Sequence, residues 1–262
     1  MILTYHISDV VPYINWAYFY FAWQLKDEAE QRRIRSEAEL FLNELNNTYC
    51  THAIFLIFNA CSDGEDIVLE SGERISFLRQ QTIGSDFLCL ADFVSPRKSQ
   101  SDKIGLFATS VDIGMESDFD HDPYQKMMAQ LLADRLAEAT AERMHEEVRK
   151  RYWGYAKDEQ LSIHEMQQEH FQGIRPAVGY PSLPDSSLNF LLDSLLNMRQ
   201  IGITLTENGA MRPHASVSGF MLSHPAARYF SVGKIGEDQL QDYARRRGMS
   251  VDVLRKFLSA NL

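Results

Sequence analysis

The chain has 262 residues, of which 45% are hydrophobic and 24% are charged, so it can form one large domain or two small ones with a substantial core. Its net charge is −10, with 26 basic against 36 acidic residues, which argues against a nucleic-acid-binding surface. Three cysteines without a CxxC pair exclude a disulfide framework and a zinc ribbon. The first residues lack the features of a signal peptide, and no apolar stretch is long enough for a bilayer. We therefore expect a cytoplasmic protein without membrane contact.

The first part of the chain, residues 1–120, predicts one helix followed by a meander of strands. After an aromatic cluster at residues 13–23, apolar residues recur every three or four positions across residues 27–46, which is typical of an amphipathic helix. Short apolar runs then alternate with turn signals, which indicates mainly antiparallel pairing. The strands are expected at residues 52–59, 67–69, 75–78, 87–94 and 104–109.

The second part, residues 121–262, predicts helices and two further strands. Asp122 and Pro123 suit the N-cap and first position of a helix that runs to about residue 151. Ser162 and Glu165 form a capping box for a second helix, and Gly173 suits its C-terminal cap. The remaining predictions are a helix from Asp185 or Ser186 closed by Gly202, strands at residues 216–223 and 228–235, and two short helices separated at Gly248 and Ser250. Because strands and helices are segregated, we expect a single α+β domain, residues 1–262, with a mainly antiparallel twisted sheet.

A loop at residues 173–181 combines two prolines with two glycines, which forbids a helix and permits tight turns. Pro176 forces Arg175 toward extended geometry. Such a loop could hold the guanidinium of Arg175 for a carboxylate and the ring of Tyr180 for stacking. The alternative is a structural crossover whose arginine forms a surface ion pair.

The long helix carries a row of ionisable side chains on one face, namely Asp134, Glu138, Glu142 and His145. This row could face a cation, or it could be a solvated face neutralised by Arg135 and Lys126.

Two other charged segments favour structural interpretations. Residues 118–122 offer oxygen and imidazole ligands, but they lack the glycine and distal glutamate of a calcium loop. We therefore predict a solvated acidic loop ending in a helix cap, and no metal site. Residues 237–258 have a helix–turn–helix outline with Arg245, Arg246 and Arg247, yet the acidic chain favours a structural helix pair over a DNA reader. The GxSxG, HExxH and Walker motifs are absent.

Several segments, taken in order, resemble the activation domain of cobalamin-dependent methionine synthase. The similarity extends from residue 10 to residue 262 and is strongest after residue 124. The segments lie at residues 133–139, 145–146, 149–150, 152–155, 173–181, 205–207, 215–219, 229–235, 238–239, 242–250 and 261–262.

The resemblance implies a role in repair of a cofactor held elsewhere. In this family the activation domain binds S-adenosylmethionine and presents its methyl group to inert cob(II)alamin, while flavodoxin or a similar reductant supplies an electron. Modules for homocysteine, folate and cobalamin do not fit within 262 residues, so we expect a stand-alone domain that acts on a separate cobalamin-binding methionine synthase core. Such a chain carries no complete active site of its own, and we assign it no catalytic residue.

The resemblance also implies the ligand contacts. Arg175 is expected to hold the carboxylate of S-adenosylmethionine, and Glu138 is suited to the cationic side of the ligand. Tyr180 is expected near the ligand and the corrin face. The other implied contacts are Ala177 and Gly179 in the loop and the pair Tyr229 and Phe230 beside the adenosine.

Two departures from the family pattern bear on the site. Asn15 stands before Trp16 where the family has aspartate, so the resemblance implies that its side chain can still form a hydrogen bond to S-adenosylmethionine but carries no charge. Residues 181–186 also lack the cysteine and histidine often found after the loop, which puts the detailed cobalamin contacts in doubt. An alternative function is therefore an adaptor or sensor for a corrinoid methyltransferase that has lost effective S-adenosylmethionine binding.

Overall fold

The computed structural model of the protein describes residues 1–96 and 102–262. The strands are β1 (Ile2–His6), β2 (Cys50–Asp63), β3 (Asp66–Leu69), β4 (Arg74–Ser76), β5 (Asp102–Val111), β6 (Thr204–Leu205), β7 (Met211–Arg212) and β8 (Ser216–Met221). The helices are α1 (Ile7–Val10), α2 (Trp16–Ala22), α3 (Glu28–Leu45), α4 (Gly114–Ser117), α5 (Pro123–Glu147), α6 (Ile163–Gln167), α7 (Leu188–Leu196), α8 (Glu237–Arg247) and α9 (Val251–Phe257). Within the described ranges, no helix is both long and apolar enough to cross a membrane.

The main sheet is antiparallel and has the order β4-β3-β2-β5-β8. The long strand β2 also pairs with β1, in a register that places Ile2 opposite Ile54. The predicted α+β class with a mainly antiparallel sheet is thus confirmed. Strands from both predicted parts of the chain share this sheet, since β8 follows the helices yet pairs with β5.

Both faces of the sheet are buried. Successive side chains of β5 point to opposite faces, and each face packs against a different apolar cluster. Phe107 packs in a cluster that includes the apolar face of α5. Its neighbours Leu106 and Ala108 pack in a second cluster with α7. A strand covered on both faces becomes a nearly continuous apolar run, which explains why residues 104–109 predict a strand without clear alternation.

The helix predictions at residues 27–46 and from residue 123 are confirmed as α3 and α5. The side chain of Asp122 accepts hydrogen bonds from the backbone amides of Tyr124 and Gln125, at 2.9 and 3.2 Å, and Pro123 occupies the first position. The α-helical part of α5 ends at Glu147, and the predicted continuation to residue 151 is a π turn, Val148–Tyr152.

Two predicted strands are wrong. In the segment 87–94, the carboxylate of Asp92 accepts a hydrogen bond from the backbone amide of Cys89 at 2.8 Å, and the chain forms a 3₁₀ turn, Leu90–Phe93. The segment 228–235 is irregular. The edge of β8 that it would need is occupied by the loop residues 174–178.

Three helix ends differ from prediction, because sequence signals place boundaries poorly. The capping box at Ser162 is confirmed, but α6 ends at Gln167, six residues before Gly173. Helix α7 begins at Leu188 and ends at Leu196, and the cap residue Asn197 that follows adopts the left-handed conformation with φ 54°. Gly202 instead ends the following 3₁₀ turn.

Candidate functional site

A cavity of about 670 Å³ opens beside α5. This volume lies within the range of about 300–1,000 Å³ that is usual for small-molecule sites. The lining comes from the start of α2, one face of α5, the segment after α6, the loop at residues 175–182 and residues 229–230. The lining side chains are Tyr13, Asn15, Tyr18, Arg135, Glu138, Ala139, Glu142, Met166, Gln167, Glu169, Phe171, Arg175, Ala177, Tyr180, Pro181, Ser182, Tyr229 and Phe230.

The loop along one wall is fixed by backbone contacts with β8. Residues 174–178 form two isolated bridges, one to Gly219 within β8 and one to Leu222 directly after it. A Cβ atom on Gly219 would lie 2.1 Å from the carbonyl oxygen of Pro176, so only glycine permits this approach. Gly173 has φ +85°, and a Cβ there would meet the carbonyl oxygen of Leu222 at 2.3 Å. The loop therefore has one well-defined backbone path past the cavity.

This loop carries the charged centre of the site, Arg175. Its side chain is only 7% exposed, and its Nη2 donates a hydrogen bond to Glu142. The guanidinium lies 5.6 Å from the centre of the Phe107 ring. Burial alone would lower the pKa of Arg175, but the carboxylates of Glu142 and Glu138 outweigh burial and hold it above its usual value. The alternative of a surface ion pair is therefore wrong.

A buried donor of this guanidinium remains unused among the described residues. Within the described part of the chain, Nε of Arg175 is buried and has no hydrogen-bond partner. Buried polar atoms in proteins are nearly always paired with protein, water or ligand. The wall of the cavity thus offers a cationic donor that suits a carboxylate.

A second polar pair lies at the more exposed side. The hydroxyl of Tyr180 donates to Oε1 of Glu138 at 2.5 Å. Burial, and then the charge of Glu138, raise the pKa of Tyr180, so the phenol stays neutral and keeps its role as donor. Nearby, the guanidinium of Arg135 lies 5.9 Å from the centre of the Tyr18 ring. These groups combine aromatic surface with a carboxylate, which suits a cationic ligand with a flat ring.

The ring of Tyr229 ties the opposite wall to the loop. Its hydroxyl accepts a hydrogen bond from the backbone amide of Arg175 at 2.9 Å. Burial raises the pKa of Tyr229 to about 12. The neighbouring Phe230 also lines the cavity, so two aromatic rings border the space beyond the guanidinium.

Comparison with known proteins identifies the family. Residues 6–248 match the family model described as the vitamin B12-dependent methionine synthase activation domain. The chain belongs to this family. Its fold is similar to that of a crystal structure described as the MetH reactivation domain bound to AdoHcy, with a TM-score of 0.95 and 39% sequence identity. The alignment covers 100% of this chain and 90% of that one.

The activation domain brings together the residues for which the resemblance implies ligand contacts. All of them except Gly179 line the cavity. Gly179 lies within the loop, with φ +90°, and its amide donates to the carbonyl of Leu183 at 2.9 Å. It therefore shapes the turn that presents Tyr180.

Asn15 lines the cavity and also caps α2. Its Oδ1 accepts a hydrogen bond from the backbone amide of Ala17 at 3.2 Å. Asparagine and aspartate are both good caps, so either residue can start this helix. The difference from the family aspartate is therefore the missing charge at the cavity rather than the local fold.

The acidic row on α5 is not a solvated face. Glu138 and Glu142 line the cavity, and His145 is completely buried. Burial, and then the charges of Arg149 and Arg175, lower the pKa of His145 well below its usual value, so the imidazole is neutral. Lys126, expected to neutralise the row, pairs with Asp120 at 2.8 Å instead.

A buried ion pair supports the inner end of the cavity. Arg149 is fully buried and forms a two-pronged contact with Glu159, whose oxygens lie 2.6–3.2 Å from the guanidinium nitrogens. The same guanidinium lies 4.3 Å from the centre of the Phe171 ring, which lines the cavity. One nitrogen of the guanidinium also lies 3.0 Å from Nδ1 of His145. This cluster holds an aromatic wall in place beneath the loop.

Glu169 is the main cavity residue that sequence reasoning missed. It adopts a left-handed conformation with φ +59°, which only a few per cent of residues other than glycine adopt. Burial, and then the charge of Glu142, raise its pKa. Neither the conformation nor the position can be foreseen from the sequence, since residues 168–172 contain no motif. Among aromatics, Tyr13, Tyr18 and Phe171 were also missed as lining residues.

The other charged segments have structural roles. Asp118 accepts a hydrogen bond from the hydroxyl of Tyr49 at 2.8 Å, and Asp122 caps α5, as predicted. Within residues 1–96 and 102–262, no group of three or more potential metal ligands comes together. In the C-terminal pair α8 and α9, Arg246 is 10% exposed and contacts Asp66 at 2.6 Å, which joins these helices to β3.

Proposed function

We propose that this activation domain binds S-adenosylmethionine in the cavity beside α5 and supports reductive methylation of cob(II)alamin held by a cobalamin-dependent methionine synthase. The observation that carries this proposal is the buried Arg175, whose Nε has no hydrogen-bond partner among the described residues and whose side chain lines the same cavity as six aromatic side chains and three glutamates. The similar structure with bound AdoHcy supports the same ligand class.

The residues of the cavity match the chemical groups of the proposed ligand. A buried guanidinium suits the carboxylate, and aromatic rings such as Tyr229 and Phe230 suit the adenosine. Glu138, Glu142 and Glu169 outnumber Arg175 and Arg135 in the lining, so the cavity favours a ligand with net positive charge. S-adenosylmethionine has a sulfonium, an ammonium and a carboxylate, and therefore one net positive charge.

When bound, the ligand supplies a methyl group that the cobalt accepts, so this chain needs no general base. Its own residues bind and orient the ligand. Tyr180, half exposed at the mouth and bonded to Glu138, is the group that we expect to meet the corrin. A flavodoxin-like or other reductant would supply the one electron that cob(II)alamin needs to accept the methyl group, S-adenosylhomocysteine would be the leaving product, and the cobalamin stays with the methionine synthase core.

A reactivation assay tests this function. The chain is mixed with cobalamin-loaded methionine synthase in the cob(II)alamin state, S-adenosylmethionine and reduced flavodoxin, and the absorbance of methylcobalamin is followed. We expect methylcobalamin to form only when every component is present. The isolated chain should neither bind cobalamin tightly nor methylate homocysteine. Tight cobalamin binding or homocysteine methylation by the chain alone would contradict the proposal.

Calorimetry separates this function from the adaptor alternative. An adaptor that has lost ligand binding gives no heat with S-adenosylmethionine, yet still associates with the cobalamin protein. The proposed function requires saturable binding by the wild-type chain and its loss in Arg175→Ala.

A further inference from the structure

In the part of the chain that the structure describes, the ion pair between Arg175 and Glu142 leaves one buried atom of each partner without a hydrogen bond. Nη2 of the arginine donates to Oε1 of the glutamate. Among the described residues, neither Nε of Arg175 nor Oε2 of Glu142 has a partner, although both atoms are buried. Both side chains line the cavity. One cationic donor and one anionic acceptor therefore stand unpaired on two side chains that touch.

This arrangement is complementary to the head group of a free α-amino acid. Its carboxylate accepts hydrogen bonds and its ammonium donates them. The two groups are attached to the same carbon, so the nitrogen and the carboxyl carbon are about 2.5 Å apart. Whichever residue binds the ammonium must therefore lie beside the residue that binds the carboxylate. Glu142 satisfies this condition by direct contact with Arg175.

We propose that Glu142 accepts a hydrogen bond from the α-ammonium group of the ligand through Oε2, while Arg175 binds the α-carboxylate. The proposal rests on the function proposed above and adds a selectivity rule, namely that the site requires an unmodified α-amino group. Glu142 would then keep the arginine neutralised in the empty cavity and share it with the ligand in the bound state.

Other polar side chains of the cavity are less suited to this role. Oε1 of Glu138 already accepts a hydrogen bond from Tyr180, toward the mouth. Asn15 is neutral, and its oxygen caps α2. Burial, and then the charge of Glu142, raise the pKa of Glu169 even though the charge of Arg175 opposes this, so its carboxylate is a less favourable anionic partner for an ammonium group.

The test compares three stable ligands by isothermal titration calorimetry. They are S-adenosylhomocysteine, its analogue without the α-amino group, and its analogue without the α-carboxylate. We expect Glu142→Gln to weaken S-adenosylhomocysteine by roughly 30-fold or more and the deaminated analogue by less than about threefold, because the lost contact involves a charged pair out of water. Arg175→Ala should show the matching pattern, with little effect on the decarboxylated analogue.

Glu169→Gln is the matched control, because it removes the same charge from the same cavity on a different segment. It should change the preference for S-adenosylhomocysteine over the deaminated analogue much less than Glu142→Gln does, because only Glu142 is proposed to contact the ammonium. If thermal denaturation shows that Glu142→Gln is poorly folded, Glu142→Asp is the alternative variant. It keeps a negative charge near Arg175, but its shorter side chain places the carboxylate farther from the ligand. That variant should also lose the preference for the amino group.

The outcomes are distinguishable. Equal loss of S-adenosylhomocysteine and the deaminated analogue in Glu142→Gln would mean that Glu142 acts only by holding Arg175, which overturns the proposal while leaving the proposed function intact. Unchanged or tighter binding in that variant also overturns it. A wild-type chain that binds none of the three ligands refutes the proposed function itself, and this proposal with it.

Discussion

Replacing Arg175 with alanine is expected to remove tight binding of S-adenosylmethionine while the chain stays folded. The lost contacts are charge-assisted hydrogen bonds from a side chain that is only 7% exposed. Bonds to charged groups contribute about 1.5–3 kcal/mol each, so the loss of Nε and a second nitrogen amounts to about 3 kcal/mol or more. At 1.4 kcal/mol for each factor of ten, the dissociation constant should rise by at least roughly 100-fold.

The effect on stability should be smaller than the effect on binding. Without Arg175, Glu142 keeps a side chain that is 27% exposed and can recover part of its hydration. The contact with the Phe107 ring is lost as well. We expect a cost of about 1–2 kcal/mol in the free energy of unfolding. The double variant Arg175→Ala/Glu142→Gln removes the unpaired carboxylate, so it should recover stability without recovering binding.

Calorimetric titration with S-adenosylmethionine and urea unfolding measure the two effects. Arg175→Lys is an informative intermediate, because it keeps the charge but replaces the planar fork with a single ammonium. We expect it to bind about tenfold more weakly than wild type. Wild-type affinity in Arg175→Ala would refute the assignment of the carboxylate. If both Arg175→Ala and the double variant Arg175→Ala/Glu142→Gln are unfolded, the arginine is needed for the fold and the loss of binding says nothing about the carboxylate.

Three further predictions follow from the structure. Asn15→Asp keeps the hydrogen bond to the amide of Ala17 and adds a negative charge at the cavity, so it should strengthen binding of S-adenosylmethionine by about 1 kcal/mol at low salt. Asn15→Ala removes the helix cap and should lower the free energy of unfolding by about 1 kcal/mol. Equal affinities of wild type and Asn15→Asp would place Asn15 away from the cationic groups of the ligand. The pKa of Tyr229 is raised to about 12, so its stabilising effect is complete below pH 10, where the unfolded tyrosine is still neutral, and it is lost as pH rises from about 10 to about 12. Stability measured against pH should therefore fall less steeply over that window in Tyr229→Phe, and parallel curves would contradict the prediction. Arg149→Ala leaves Glu159 buried without its cation and should cost about 3–5 kcal/mol, while a loss below 1 kcal/mol in chemical denaturation would show that the pair is dispensable.

Local chemistry in the sequence was sufficient for several elements of this domain. Asp122 with Pro123 marks the start of α5, and Ser162 with Glu165 marks that of α6, because caps and first-turn residues act on their own backbone. The mainly antiparallel pairing followed from short apolar runs separated by turns, but the strand order did not, since in the described sheet β5 pairs with β2 and not with its predecessor β4. The loop at residues 173–181 was identifiable because prolines and glycines restrict the backbone wherever they occur.

The membership of the activation-domain family, and with it the contacts at Arg175, Glu138 and Tyr180, also came from motifs in the sequence alone. The ligand contacts of these three residues remain predictions, whereas the structure shows that all three line one cavity. The motif residues come from α5 and from a loop more than thirty positions later, which the contacts with β8 bring together.

Only the tertiary structure decided which polar groups are buried and which face each other. The row on α5 could be a wet surface or a binding face, and periodicity cannot distinguish the two, since both place charges on one side of a helix. The pairing of Glu142 with Arg175 and the left-handed Glu169 depend on elements distant in the chain. The segment 228–235 has the composition of a strand, yet it is irregular because the loop occupies the edge of β8. Only one segment can pair with a given edge of a sheet, and the local sequence does not determine which of two candidate segments pairs there.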